Sequence, residues 1–221
     1  MRTIVITSQK GGSGKTTLTT HLAVEIERLG AGPVAIVDAD PQGSLSTWRG
    51  KRTAETPKGA NVNDLATLPD WLRRAESAGI AFCLVDTSPA RHTENAVVIR
   101  AADFVLIPTQ ASPTDLWALG PTIEALQAAG VPFAFVLNRV KPNTRLVAQT
   151  AAALSKHGRV LPTFLGDRVD FQAAMIDGRT APELNANSPA AREVAGLWSE
   201  TLEAMQELAK TRTKEKAIAN V

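Results

Sequence analysis

The stretch Lys10-Gly11-Gly12-Ser13-Gly14-Lys15-Thr16-Thr17, with what flanks it, constrains this chain most. Before it, Thr3-Ile4-Val5-Ile6-Thr7 is apolar and β-branched, the pattern of a buried strand. After it, Leu18, Leu22, Ile26 and Leu29 recur at helical spacing and predict a helix over 16–29. A strand that passes through a glycine turn into a helix N-terminus makes a cradle for phosphate. Glycines let successive backbone N–H groups turn inward where a Cβ would obstruct them. The helix start adds unpaired donors and a partial positive charge. In such a cradle Lys15 would reach the β- and γ-phosphates of a nucleotide, and the Thr16 hydroxyl would ligate Mg²⁺. Gly11, Gly12, Ser13, Gly14 and Thr17 would complete the binding loop.

The strict pattern G-x-x-x-x-G-K-[ST] wants glycine at position 9, where this chain has Gln9. What stands here is K-G-G-x-G-K-T, with a further lysine, Lys10, at the loop entrance. This variant resembles the deviant Walker A motif of the ParA/MinD ATPases. The plain alternative is a glycine turn with a chance lysine, and the strand and helix around it argue against that.

The remaining pattern supplies the frame. Apolar runs at 34–37, 81–85, 104–107, 133–137 and 160–164 predict further strands, separated by helical stretches at 61–78, 94–101, 114–129, 144–157, 169–177 and 188–210. Residues 49–60 are polar and rich in Gly and Pro, the composition of a surface loop. Strands that alternate with helices and are wholly apolar predict a doubly wound α/β fold, a mostly parallel sheet flanked by helices. At 221 residues one domain over 1–221 is expected, with 211–221 as a flexible basic tail. A formal net charge of only +2 gives no large cationic field, although Lys210, Arg212, Lys214 and Lys216 cluster near the C-terminus. The single cysteine, Cys83, excludes an internal disulfide and reads as core filler. With no leader sequence before Thr3 and no long apolar run, a cytoplasmic protein is expected.

Polar residues gather where the strands end, which is where such sheets bind ligands. ATP hydrolysis needs phosphate positioning, a metal and a group that orients water in line with the γ-phosphate. Asp86, after the run 82–85, stands where a carboxylate could hold Mg²⁺ through its water shell. Asp38 and Asp40 are two apart at the end of an extended segment, so both carboxylates could face the phosphate site together. A helix cap is the alternative for either. Asn138 closes the run 133–137, and its amide can both donate to and accept from a base edge.

The resemblance assigns these residues. Asp38-Ala39-Asp40-Pro41-Gln42-Gly43-Ser44 resembles the family's switch I, in which Asp40 would orient the hydrolytic water and Asp38 lie near the signature lysine. Asp86-Thr87-Ser88-Pro89 resembles switch II, with Ser88 in place of the usual Pro. Asn138-Arg139 matches the element whose Asn contacts adenine, and 111–116 resembles the Pro-containing loop at the dimer face. Arg168-Val169-Asp170-Phe171, with Gly178 and Glu183, fits the C-terminal third. The whole is similar to small ParF-like ParA partition ATPases without an N-terminal helix-turn-helix domain. The resemblance implies an ATP-dependent homodimer in which Lys10 crosses to the other subunit's nucleotide. It further implies non-specific DNA binding, a nucleoid-associated location and a ParB-like or other adaptor that stimulates hydrolysis. Arg168 and Arg192 stand where relatives carry DNA-contacting arginines, and a solvated face is the alternative for both.

Other classes fit less well. A MinD-like membrane switch would want large apolar residues in the last segment, and TRTKEKAIANV offers only Ile218 and Val221, so no membrane association is expected. Iron–sulfur relatives need more cysteines, and tyrosine-kinase relatives need a tyrosine-rich tail that this chain, with no tyrosine, lacks. A metabolic ATPase of the same fold stays open at this point.

Overall fold

A computed structural model describes residues 1–89, 95–141 and 144–219. Seven parallel strands form one sheet: β1 (Arg2–Ile6), β2 (Val34–Ala39), β3 (Lys58–Asn61), β4 (Phe82–Thr87), β5 (Phe104–Gln110), β6 (Phe133–Asn138) and β7 (Arg159–Val160). Their order is β3-β2-β4-β1-β5-β6-β7, so β1 sits centrally and the loop that leaves it opens beside the reversal of strand order.

Helices α1 (Lys15–Arg28), α2 (Ser44–Lys51), α3 (Leu68–Ser77), α4 (Asn95–Arg100), α5 (Pro113–Trp117), α6 (Gly120–Ala129), α7 (Arg145–Leu154), α8 (Val169–Met175), α9 (Ala181–Leu184) and α10 (Pro189–Ala219) complete the chain. Alternate strand residues feed two apolar layers. Ile4, Ile6, Ile36, Leu84 and Leu106 pack with Leu18 and Leu22 of α1, Trp48 of α2 and Leu197 and Trp198 of α10. Val5, Val37, Val85, Val105 and Ile107 face α3, α4, α6 and α7 through Leu72, Val98, Leu126 and Leu154. Cys83 belongs to this second layer, fully buried, and burial pushes its thiol up to about 12.

Several elements differ from the expected pattern. Residues 58–60, read as surface loop, and Asn61, read as the start of a helix, form β3, an edge strand with a single neighbour and little apolar content. The stretch expected as one helix over 114–129 is two, with α5 ending at Trp117 and α6 starting at Gly120, Pro121 in its first turn. The stretch expected as one helix over 61–78 instead holds a short 3-10 turn, Leu65–Thr67, followed by α3, with Pro69 in the first turn of α3. The backbone is helical to Ala219, through most of the segment expected as a tail. The side chains of the Lys210–Lys216 cluster, and Glu94, lie outside the described residues.

Candidate nucleotide site

The loop after β1 has the conformation its glycines permit. Gly12 and Gly14 take φ of +73° and +93°, and Gly14 is the left-handed residue from which α1 starts. A cleft of roughly 450 Å³ runs from this loop to α8. Gly11, Gly12, Gly14, Lys15, Thr16 and Thr17 line one end, with Asp40, Gln42, Ser44 and Pro89 beside them. Ser13 is buried beneath the loop, and its hydroxyl has no hydrogen-bond partner. Lys15 is buried, which lowers its pKa, while Asp86 and Asp40 act in the opposite direction.

Asp86, at the end of β4 beside β1, accepts a 2.6 Å hydrogen bond from the Thr16 hydroxyl. Burial pushes its carboxyl up to about 7; the Thr16 bond and Lys15 counter this, and Asp38 and Asp40 add to it. Its second oxygen, Oδ1, is buried with no partner. An orphaned carboxylate oxygen next to a threonine hydroxyl is a donor set suited to Mg²⁺, which prefers hard oxygen ligands and keeps several waters.

Asp38 and Asp40 do not face the cleft together. The strand ends at Ala39, so the alternation of an extended chain stops between them. Asp38 is buried, and its carboxylate accepts from the Ser46 N–H at 2.7 Å and the Asp40 N–H at 3.2 Å, capping the first turn of α2. Asp40 alone lines the cleft.

Lys10 also departs from the cradle. Its ammonium bonds the buried Asp115 carboxylate and, at 2.9 Å, the Thr114 hydroxyl, both in α5. Asp115 in turn accepts from the Gln110 N–H at 3.1 Å. Two residues further, Trp117 is 77% exposed.

The rest of the lining comprises Asn138, which lies against the loop, with Arg139, Gly166, Asp167, Arg168, Phe171, Gln172 and Met175. Asn138 donates to the Ser13 carbonyl at 2.7 Å and accepts from the Arg139 N–H at 2.8 Å. Arg139 has φ of +53°, the one described non-glycine residue with positive φ, and it pairs with Asp167 at 3.5 Å. Arg168 is bound by Glu193 of α10 at 2.6 Å, and the same carboxylate accepts from the Gly166 N–H at 3.0 Å. Arg192 is exposed, donates to the Asn187 carbonyl, and has no carboxylate partner among the described residues. Phe171 belongs to the Arg168–Phe171 element but had no cleft role assigned to it, and Gln172 and Met175 carry no motif that could have placed them here.

Behind the cleft, residues 178–183 tie three elements together. His21 of α1, fully buried, is held through Nδ1 by the Thr17 carbonyl at 2.8 Å, while Nε2 accepts from the Ala181 N–H at 3.0 Å. Its ring meets Phe171 edge-on at 5.1 Å. Trp48 donates to the Arg179 carbonyl, and Arg52 binds the Gly178 carbonyl and the Glu183 carboxylate. Burial outweighs the Thr17 carbonyl and the Glu183 charge and lowers the His21 pKa to about 4, so the ring is neutral in the fold. The unfolded chain protonates near 6.5, so this group's contribution is complete above pH 6.5 and is lost as pH falls towards 4. Between pH 7 and pH 5 the loss is about 2 kcal/mol. Urea unfolding at the two pH values should show a His21→Gln variant lacking that part of the decline. An unchanged decline would mean the ring titrates freely.

Strand, glycine loop and helix at the centre of a parallel sheet define a P-loop nucleotide-binding protein. A family model described as the CobQ/CobB/MinD/ParA nucleotide binding domain matches residues 4–181. The chain is 30% identical over 210 residues to the maintenance of carboxysome distribution protein A of Halothiobacillus neapolitanus, covering 90% of this chain and 96% of that protein. It is 28% identical to the chromosome-partitioning ATPase Soj of Thermus thermophilus, over 94% of this chain and 98% of that one. Among solved structures, Pyrococcus horikoshii MinD complexed with Mg-ADP superposes with a TM-score of 0.75 at 19% identity, covering 90% of this chain and 95% of that one. The chain belongs to the ParA/MinD family of ATPases.

Proposed function

We propose that this chain is a ParA-type ATPase that positions a cargo over the nucleoid by switching between ATP-bound and ADP-bound states. The observation that carries the reading is the cleft itself, in which Lys15, Thr16 and Asp40 converge and Asn138 sits against the same loop. ATP would lie along it with its phosphates in the Gly11–Thr17 loop and its base towards Asn138 and Phe171. Thr16 and Asp86 would hold Mg²⁺, which supplies charge neutralisation at the β- and γ-phosphates. Lys15 would bind the same phosphates from the first turn of α1. Asp40 would accept a hydrogen bond from the attacking water and hold it in line with the γ-phosphate as the bond to the leaving oxygen breaks.

A homodimer forms in the ATP state in this reading, and Lys10 leaves Asp115 to reach the nucleotide of the second copy. That dimer would bind DNA without sequence preference, with affinity falling steeply as salt rises. Arg192 suits a phosphate contact better than Arg168, because its charge has no carboxylate partner among the described residues while Arg168 is committed to Glu193. An adaptor protein would stimulate hydrolysis and so release the dimer. The carboxysome-distribution relative favours a large protein assembly as cargo over a plasmid. No described helix is long and apolar enough to cross a bilayer.

Retention on random-sequence DNA at low salt, compared between ATP and ADP, tests this. Wild type should be retained with ATP only, Asp40→Ala retained longer, and Lys15→Ala not at all. A protein that binds ATP yet ignores DNA in both states would end the nucleoid reading.

A further inference from the structure

The phosphate loop is held from outside by two side-chain amides that its motif does not contain. Gln110, the last residue of β5, donates from Nε2 to the Gly12 carbonyl at 2.9 Å. Asn138, the last residue of β6, donates from Nδ2 to the Ser13 carbonyl at 2.7 Å. The two strands pair so that Gln110 and Asn138 are direct register partners. Adjacent strand ends therefore grip adjacent loop carbonyls.

The amide orientations follow from their partners. A carbonyl can only accept, so nitrogen must face Gly12 and Ser13, and Asn138 Oδ1 is independently fixed by the Arg139 N–H it accepts. Described cis peptide bonds occur only before Pro33 and Pro57, so the peptides joining Gly12, Ser13 and Gly14 are trans. In a trans peptide the C=O and the following N–H point in opposite directions. Drawing the Gly12 and Ser13 carbonyls outward thus turns the Ser13 and Gly14 N–H groups the other way. Neither N–H has a hydrogen-bond partner among the described residues. The Lys10-Gly11-Gly12-Ser13-Gly14 turn would otherwise be free to rotate these peptides, since its glycines permit several conformations.

We infer that Gln110 and Asn138 are a pair of positioning residues that set the phosphate-binding N–H groups of Ser13 and Gly14 before any ligand arrives. This deepens the nucleotide-site reading above and rests on it. It assigns Gln110 a role and gives Asn138 one at the phosphate end, separate from any contact with the base. Preorganised donors bind without the entropy of ordering the loop, so the gain appears as affinity for the phosphates.

Calorimetric titration with two probes separates the roles: Mg-ADP, and inorganic pyrophosphate, which has no base. Gln110→Met keeps the length of the side chain and removes the donor; Asn138→Leu does the same without adding charge. Each should weaken pyrophosphate and Mg-ADP alike, by about five- to tenfold, the value of one such hydrogen bond. The thermal midpoint of ligand-free Gln110→Met should match wild type, since the side chain is only half-buried. If Gln110→Met binds pyrophosphate as wild type does, the inference falls. If Asn138→Leu loses Mg-ADP affinity alone, Asn138 acts at the base and the pair is refuted. If wild type binds neither probe, the nucleotide-site reading fails first and takes the inference with it.

Discussion

Replacing Gly14 by alanine should lower Mg-ADP affinity by about a hundredfold or more and leave a folded protein. Two effects combine at this position. Its φ of +93° lies in the left-handed region, where a side chain meets its own backbone. An added Cβ would also stand 2.0 Å from Asn138 Nδ2, well inside any real contact. Asn138 could yield only by letting go of the Ser13 carbonyl, and the loop could yield only by moving off the start of α1. Either response spoils the cradle. Gly12→Ala is the control, because φ is +73° there and nothing lies within 4 Å of the new Cβ. It should cost only the backbone strain, about 1–2 kcal/mol, or about five- to thirtyfold in affinity if all of it falls on the bound loop. Equal losses at Gly12 and Gly14 would show that strain alone governs the loop and that the contact with Asn138 is irrelevant.

Gly178→Ala should lower the free energy of unfolding by about 3 kcal/mol or more. Its φ is +79°, and an added Cβ would stand 2.4 Å from the Arg52 nitrogen and 2.5 Å from its Cα. The obstacle is backbone at the end of α2, which cannot rotate aside as a side chain can. Moving it would break the Arg52–Glu183 pair, the Arg52 bond to the Gly178 carbonyl and the Trp48 bond to the Arg179 carbonyl. These bonds join α2, which follows Asp40, to the segment that also receives His21. Gly130, with φ of +62° and open space around it, is the comparison. Chemical unfolding of both alanine variants would decide it. A Gly178 loss no larger than that at Gly130 would mean that α2 is not packed against this segment in solution.

How much of this was legible in the sequence depended on distance along the chain. The central strands, the loop and α1 could be read because each is specified locally, by apolar runs, glycines and helical spacing. β3 could not: Lys58-Gly59-Ala60-Asn61 has no apolar run, and it is a strand only because β2 lies beside it. Asp38 was misjudged because extended geometry was carried one residue too far, past the turn at Asp40. The resemblance implied a nucleotide contact for Lys10 across a dimer, and the contact it makes within the chain, to Asp115, could not be read because that residue lies 105 positions away. The same holds for Arg168, whose charge is met by a glutamate on a helix that folds back from the C-terminus. Gln110 carried no signal at all, since an amide at the end of one strand acquires meaning only when the neighbouring strand puts Asn138 next to it.

The buried cysteine has a practical corollary for anyone who wants to watch this protein move. With its thiol enclosed in β4 and held protonated, Cys83 should ignore maleimides while the fold persists. The natural chain is therefore already a silent background for site-directed labelling. A cysteine introduced in place of exposed Trp117, two residues from the Asp115 that holds Lys10, would carry the only dye and report on that corner directly. Any slow labelling of the unaltered chain would come from Cys83 itself and would time the opening of the sheet.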